Sequence, residues 1–70
     1  MEKFGEKLRT LRMRRGLTTR ELGELLGVNQ SHVTRMEQGQ RMPNVAMVMK
    51  VAAIFGVTVD QLVQDELGVD

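Results

Sequence analysis

Gln30, Ser31, Thr34 and Arg35 stand at i, i+1, i+4 and i+5. If that segment is helical, they share one polar face while Val33 and Met36 point the other way. Their chemistry is that of reading the edges of base pairs. A Gln amide can pair with N6 and N7 of adenine and a guanidinium with O6 and N7 of guanine; a Ser hydroxyl serves either, and a Thr methyl can touch a thymine methyl. Groups suited to phosphate flank this face. Thr18 and Thr19 place hydroxyls beside the unpaired amides of a helix start, and Asn29 and Arg41 add donors nearby. The chain offers no nucleophile–base pair, carboxylate dyad or glycine-rich phosphate loop, so catalysis is not expected. With no Cys and His32 as the single histidine, neither a metal site nor a cofactor is expected.

A polar face alone is only what any exposed helix has, so the surrounding register has to decide. Residues 19–38 supply it. Counted from Thr19, Gly23 is fifth and Gly27 ninth, the places where two helices cross closely and where the chain reverses. Leu22, Leu26, Val28, Val33 and Met36 fill the fourth, eighth, tenth, fifteenth and eighteenth places. These must be apolar if both helices bury a face in one core. Two small and five apolar residues in register make a helix-turn-helix, whose second helix can enter the major groove.

The rest of the chain must hold that unit. Seventy residues make a single domain, 1–70, near the lower size at which a chain folds without staples. No window is apolar enough to span a membrane and MEKFGEKLRT lacks a signal-peptide core, so a cytoplasmic protein with no membrane partner is expected. The net charge of +1 hides a polarity. Residues 1–41 carry nine Lys or Arg against five acids, whereas residues 42–70 carry Lys50 against four acids. The basic part contains the reading unit, as suits a domain that turns one end toward phosphate.

Five helices and no strand are predicted. Phe4, Leu8, Leu11 and Arg15 form one stripe of a helix over Glu2–Arg15 that ends at Gly16. Thr18 and Glu21 make a capping box for the second helix, which closes at Gly27; Asn29 caps the third, which runs to Gln38. After the loop GQRMPN, Asn44 caps Val45–Phe55, and Thr58 caps Val59–Gln64. Lys3, Lys7 and Arg14 read as a basic stripe on the first helix, which a solvated face explains at least as well as DNA contact does. In the fourth helix Val48, Val51, Ala52 and Phe55 suffice for an inward stripe, so Ala46, Met47, Ala53 and Ile54 imply a second apolar face. That excess predicts a two-fold homodimer through Met47, Ile54, Val59, Val63 and Leu67.

The chain resembles the lambda-repressor-like (Cro/Xre) helix-turn-helix domains over about Phe4 to Leu67. The resemblance rests on Leu11-Arg12, Gly16-Leu17-Thr18, Glu21-Leu22, Leu26-Gly27-Val28, Glu37-x-Gly39, Pro43, Phe55-Gly56-Val57 and Leu62. Gly23 departs from it, since Ala is commoner there, and the GQRMPN loop is poorer in Lys and Arg than in many relatives. The resemblance implies a compact all-α domain of five helices that binds double-stranded DNA, with base contacts at the reading positions above and a backbone contact at Thr19. It also implies that Arg12 pairs with Glu37, a carboxylate at the edge of the buried side that needs a partner. The expected function is sequence-specific transcriptional regulation, as a repressor on a palindromic operator. The alternative is a protein-interaction module of the same fold, of antitoxin or coactivator type with a protein partner.

Overall fold

The computed structural model describes residues 1–69. Among them are five helices and no strand: α1 (Phe4–Arg14), α2 (Thr19–Leu26), α3 (Gln30–Glu37), α4 (Val45–Phe55) and α5 (Val59–Val63). Four of the five begin on a side chain that accepts the amide three residues on. Thr18 takes that of Glu21, Asn29 that of His32, Asn44 that of Met47 and Thr58 that of Gln61. Each such cap contributes about 1 kcal/mol and fixes where its helix starts. The ends of α1, α3 and α5 fall one or two residues inside the ranges expected from sequence, as fraying last turns do.

One core joins all five helices. Phe4, Leu8 and Leu11 of α1 meet Leu22 and Leu26 of α2, Val33 and Met36 of α3, the inner rows of α4, and Leu62 of α5. Arg15, the last member of the α1 stripe, is exposed but lays its guanidinium over the Phe55 ring, 5.4 Å from the centroid.

Helix α4 corrects the expected second apolar face. Met47 is 8% exposed and belongs to the core, and Ile54 is half-buried against it. Met47, Val51 and Phe55 form one i, i+4, i+8 row, and Val48 and Ala52 a second beside it. Because α4 packs against both α2 and α5, it buries both rows. The large apolar residues that α4 leaves in solvent are Val45, at 76% exposure, and Met49, at 59%.

Lys7 is a second correction: it is buried, not part of a solvated stripe. Its ammonium donates to the carbonyls of Gln61 and Gln64, each at 2.6 Å, and so satisfies the end of α5. The opposite arrangement holds at the start of α1, which has no side-chain cap of its own. There the Asp65 carboxylate accepts the amides of Glu2 at 3.1 Å and Lys3 at 3.0 Å. These amides, Lys3 foremost, hold the Asp65 carboxyl below the usual carboxylate range.

Candidate nucleic-acid interface

The start of α2 is built by reciprocal bonds. Thr18 Oγ1 accepts from the Glu21 amide at 3.0 Å while Glu21 Oε1 accepts from the Thr18 amide at 2.9 Å. That backbone bond is the main reason the Glu21 carboxyl titrates below its ordinary value. Thr18 is therefore a cap first, and what it leaves for an anion is the field of the helix start.

At the turn, Gly27 adopts φ +76°, a left-handed conformation that costs a residue without Cβ little, and the Val28 amide closes back onto the Gly23 carbonyl at 2.9 Å. Gly23 serves the same turn in a different way. A Cβ there would lie 2.7 Å from the Val28 carbonyl oxygen. The small residue makes room for the turn's backbone, and the turn sets how α3 leaves α2.

Helix α3 buries Val33 and Met36 and turns Gln30, Ser31 and Arg35 into solvent, with Thr34 half-buried beside them. Gln30, Ser31, Thr34 and Arg35 line one shallow groove. Two residues that sequence reasoning missed, Gln38 and Gln40, line it too. Gln38 was within reach, since it stands four after Thr34 and three after Arg35. Gln40 was not, because it lies beyond the left-handed Gly39, where its amide returns to the Arg35 carbonyl at 2.8 Å.

The polar atoms of this face are not equally available. Gln30 Nε2 donates to Thr19 Oγ1 at 3.0 Å, which ties the first residue of α3 to the first of α2. Thr19 accepts in that bond, so its own hydroxyl proton can still point outward, and the Gln30 carbonyl oxygen and second amide proton remain for a ligand. Ser31 Oγ donates to Asn29 Oδ1 at 2.7 Å, and that oxygen also accepts the His32 amide at 2.9 Å. Asn29 therefore keeps only its amide protons for other partners, and Ser31 presents lone pairs. Thr34 Oγ1 donates to the Gln30 carbonyl at 3.1 Å, so its hydroxyl proton is committed within the helix. Among the described residues the Arg35 and Arg41 side chains make no hydrogen bond or ion pair. Both charges bear on half-buried His32, whose imidazolium is disfavoured by burial first and then by Arg41 and Arg35.

The far end of α3 is held from α1. Arg12 Nε donates to Glu37 Oε2 at 2.7 Å and Nη2 to Oε1 at 3.1 Å, while Nη1 bonds the Leu17 carbonyl at 2.8 Å. The two side chains are 14% and 7% exposed. The carboxylate bonds raise the Arg12 guanidinium further above its ordinary value, so the pair is ionic.

A helix-turn-helix domain family model matches residues 3–64. The chain belongs to that family, in its lambda-repressor-like (Cro/Xre) branch. It is 38% identical over 63 residues to the HTH-type transcriptional repressor RghR of Bacillus subtilis, matching 89% of this chain and 47% of that protein. It is 35% identical over 63 residues to the HTH-type transcriptional activator BcrR of Enterococcus faecalis, matching 90% of this chain and 31% of the relative. The chain thus spans less than half the length of either. Among solved structures, the restriction-modification controller protein C.AhdI of Aeromonas hydrophila superposes with a TM-score of 0.76 at 34% identity, over 87% of this chain and 88% of that one. Among the described residues no helix is long and apolar enough to cross a membrane, and no group of His, Cys, Asp or Glu could hold a metal ion.

The residues expected at a dimer contact do not gather. Val63 and Val59 line an apolar groove with Val45, Val48, Met49, Pro43 and Met1. Leu67 lies instead in a polar groove along α1 with Lys3, Glu6 and Arg14, and Met47 is in the core.

Proposed function

We propose that this domain is the sequence-reading unit of a transcriptional regulator and that it binds double-stranded DNA through the exposed face of α3. The observation that carries the reading is the state of that face. Gln30 is pre-positioned by Thr19, and Arg35 lines the groove with its guanidinium uncommitted. Thr19, Asn29, Arg41 and the start of α2 supply phosphate contacts at its flanks. RghR is named a repressor, and that sign is carried over here; BcrR is named an activator. A reporter placed downstream of the selected site distinguishes the two.

Two copies act together on a palindromic operator in this reading. The groove of Val45, Met49, Val59 and Val63 supports it, because it is apolar on both elements that form it. The only charge on α4, Lys50, turns aside to the Leu26 carbonyl at 3.3 Å. The same groove is what favours the second reading, a module that holds a protein partner.

Selection from a random DNA pool, followed by titration of variants, tests the reading. Gln30→Ala and Arg35→Ala should each keep the unfolding midpoint and lose about 1–3 kcal/mol of binding with relaxed preference at one base pair. Arg41→Ala should weaken all sequences alike and lower the salt slope by about one. Unchanged affinity and preference in both α3 variants would replace DNA reading with partner holding. Met49→Glu should leave a folded monomer in sedimentation if the groove seats a second copy.

A further inference from the structure

The start of α1 lies closer to α3 than any side chain would permit. A Cβ placed on Gly5 would stand 2.5 Å from the Met36 carbonyl oxygen and 2.6 Å from that of Glu37. Both distances are to backbone, which cannot swing away as a flexible side chain can. Gly5, Leu8 and Arg12 lie along one face of α1 at i, i+3 and i+7. At one end of that face the glycine backbone meets the last carbonyls of α3. At the other Arg12 holds the Glu37 carboxylate. The polarity of the contact is favourable as well, since the positive start of α1 meets the negative end of α3.

We propose that Gly5 is a positioning residue for DNA reading: by admitting the backbone of α1 against the Met36 and Glu37 carbonyls, it sets the tilt of α3 and hence the reach of Arg35. The inference rests on the reading of α3 given above. Arg35 directly precedes the two seated carbonyls, whereas Gln30 sits two turns away, fixed independently by Thr19 and the Asn29 cap. A methyl group at residue 5 therefore pushes on the Arg35 end and leaves the Gln30 end where it is. Its effect on recognition has a direction along the operator.

Gly5→Ala tests this, assayed well below its own unfolding midpoint so that all molecules are folded. The base pairs read by Arg35 and Gln30 are first located with Arg35→Ala and Gln30→Ala on single-substituted operators. Gly5→Ala is expected to weaken the selected operator about tenfold and to relax preference at the Arg35 base pair. Preference at the Gln30 base pair, affinity for unrelated DNA and the salt slope should hold. A merely structural role lowers the midpoint and leaves the preference profile intact, and that result overturns the proposal, as does uniform weakening at every position. If Gly5→Ala does not fold, Arg12→Lys loosens the same end of α3. An unchanged profile in that variant overturns the proposal equally. A wild-type protein that selects no sequence overturns the DNA reading and this inference with it, and is recognised because the failure precedes any substitution.

Discussion

Replacing Arg12 by Ala should be among the most damaging single changes in this domain, and the geometry says by how much. The substitution removes three charge-assisted or carbonyl bonds and strands a Glu37 carboxylate that is 7% exposed. Losing one partner of such a pair costs about 3 kcal/mol, because the remaining charge is left desolvated. A domain of this size has about 4–10 kcal/mol of stability in all. At about 4–8 °C per kcal/mol the midpoint should fall by roughly 12–24 °C. Arg12→Lys keeps the charge but not the fork, and should fall between the two. The double variant Arg12→Met with Glu37→Met removes both charges from one place and should recover most of the loss. Thermal unfolding followed by circular dichroism measures all four proteins. A loss under about 1 kcal/mol for Arg12→Ala, the figure for an exposed pair, would refute the claim that the pair is structural. So would a double variant no more stable than the single one.

Three further outcomes follow from particular contacts. Thr19→Val keeps the shape but removes the acceptor for Gln30, so the affinity lost on Gln30→Ala should be smaller in that background, with a coupling of about 0.5–1.5 kcal/mol in a double-mutant cycle; simple additivity would show that Thr19 does not orient Gln30. Gly23→Ala should lower the midpoint despite about 1 kcal/mol of added helix propensity, because its Cβ meets the Val28 carbonyl at 2.7 Å; a midpoint raised by the full propensity gain would mean that the turn yields. The Asp65 carboxyl is depressed in the folded state, so its stabilisation is complete above the unfolded carboxylate range and fades as pH falls through about 4 toward the folded value; the difference between wild type and Asp65→Asn in urea unfolding should shrink there and stay constant between about pH 5.5 and 7, where the terminal ammonium 3.6 Å away keeps its charge.

The helix starts were legible because each is a local contract. Thr18, Asn29, Asn44 and Thr58 need only the amide three residues ahead, and all four make that bond. The polar face of α3 was legible for the same reason, since its members are one turn apart. Positions decided by another element were not. Lys7 looked like a surface lysine because nothing in its own helix shows that the carbonyls of Gln61 and Gln64 lie above it. Met47 looked surplus because one inward stripe suffices for a helix with one neighbour, and α4 has two. Gly5 carried no signal, since its role exists only where α1 crosses the end of α3.

The exchange of partners between α1 and α5 gives the domain a property of a ring. Residues 2 and 65 are linked by a hydrogen bond of 3.1 Å, and residues 7 and 61 by one of 2.6 Å. The facing ends of α1 and α5 are thus shielded by each other, and the amides between them should exchange more slowly than those of the exposed loops. Such a closed arrangement is indifferent to where the chain is cut. A permuted gene that joins these two ends by a short flexible linker and opens instead in the exposed 39–42 loop should fold to the same bundle, with α3 now adjacent to a free carboxyl end. That permutant would carry its reading face at the extremity of the chain, ready to be fused directly to another domain.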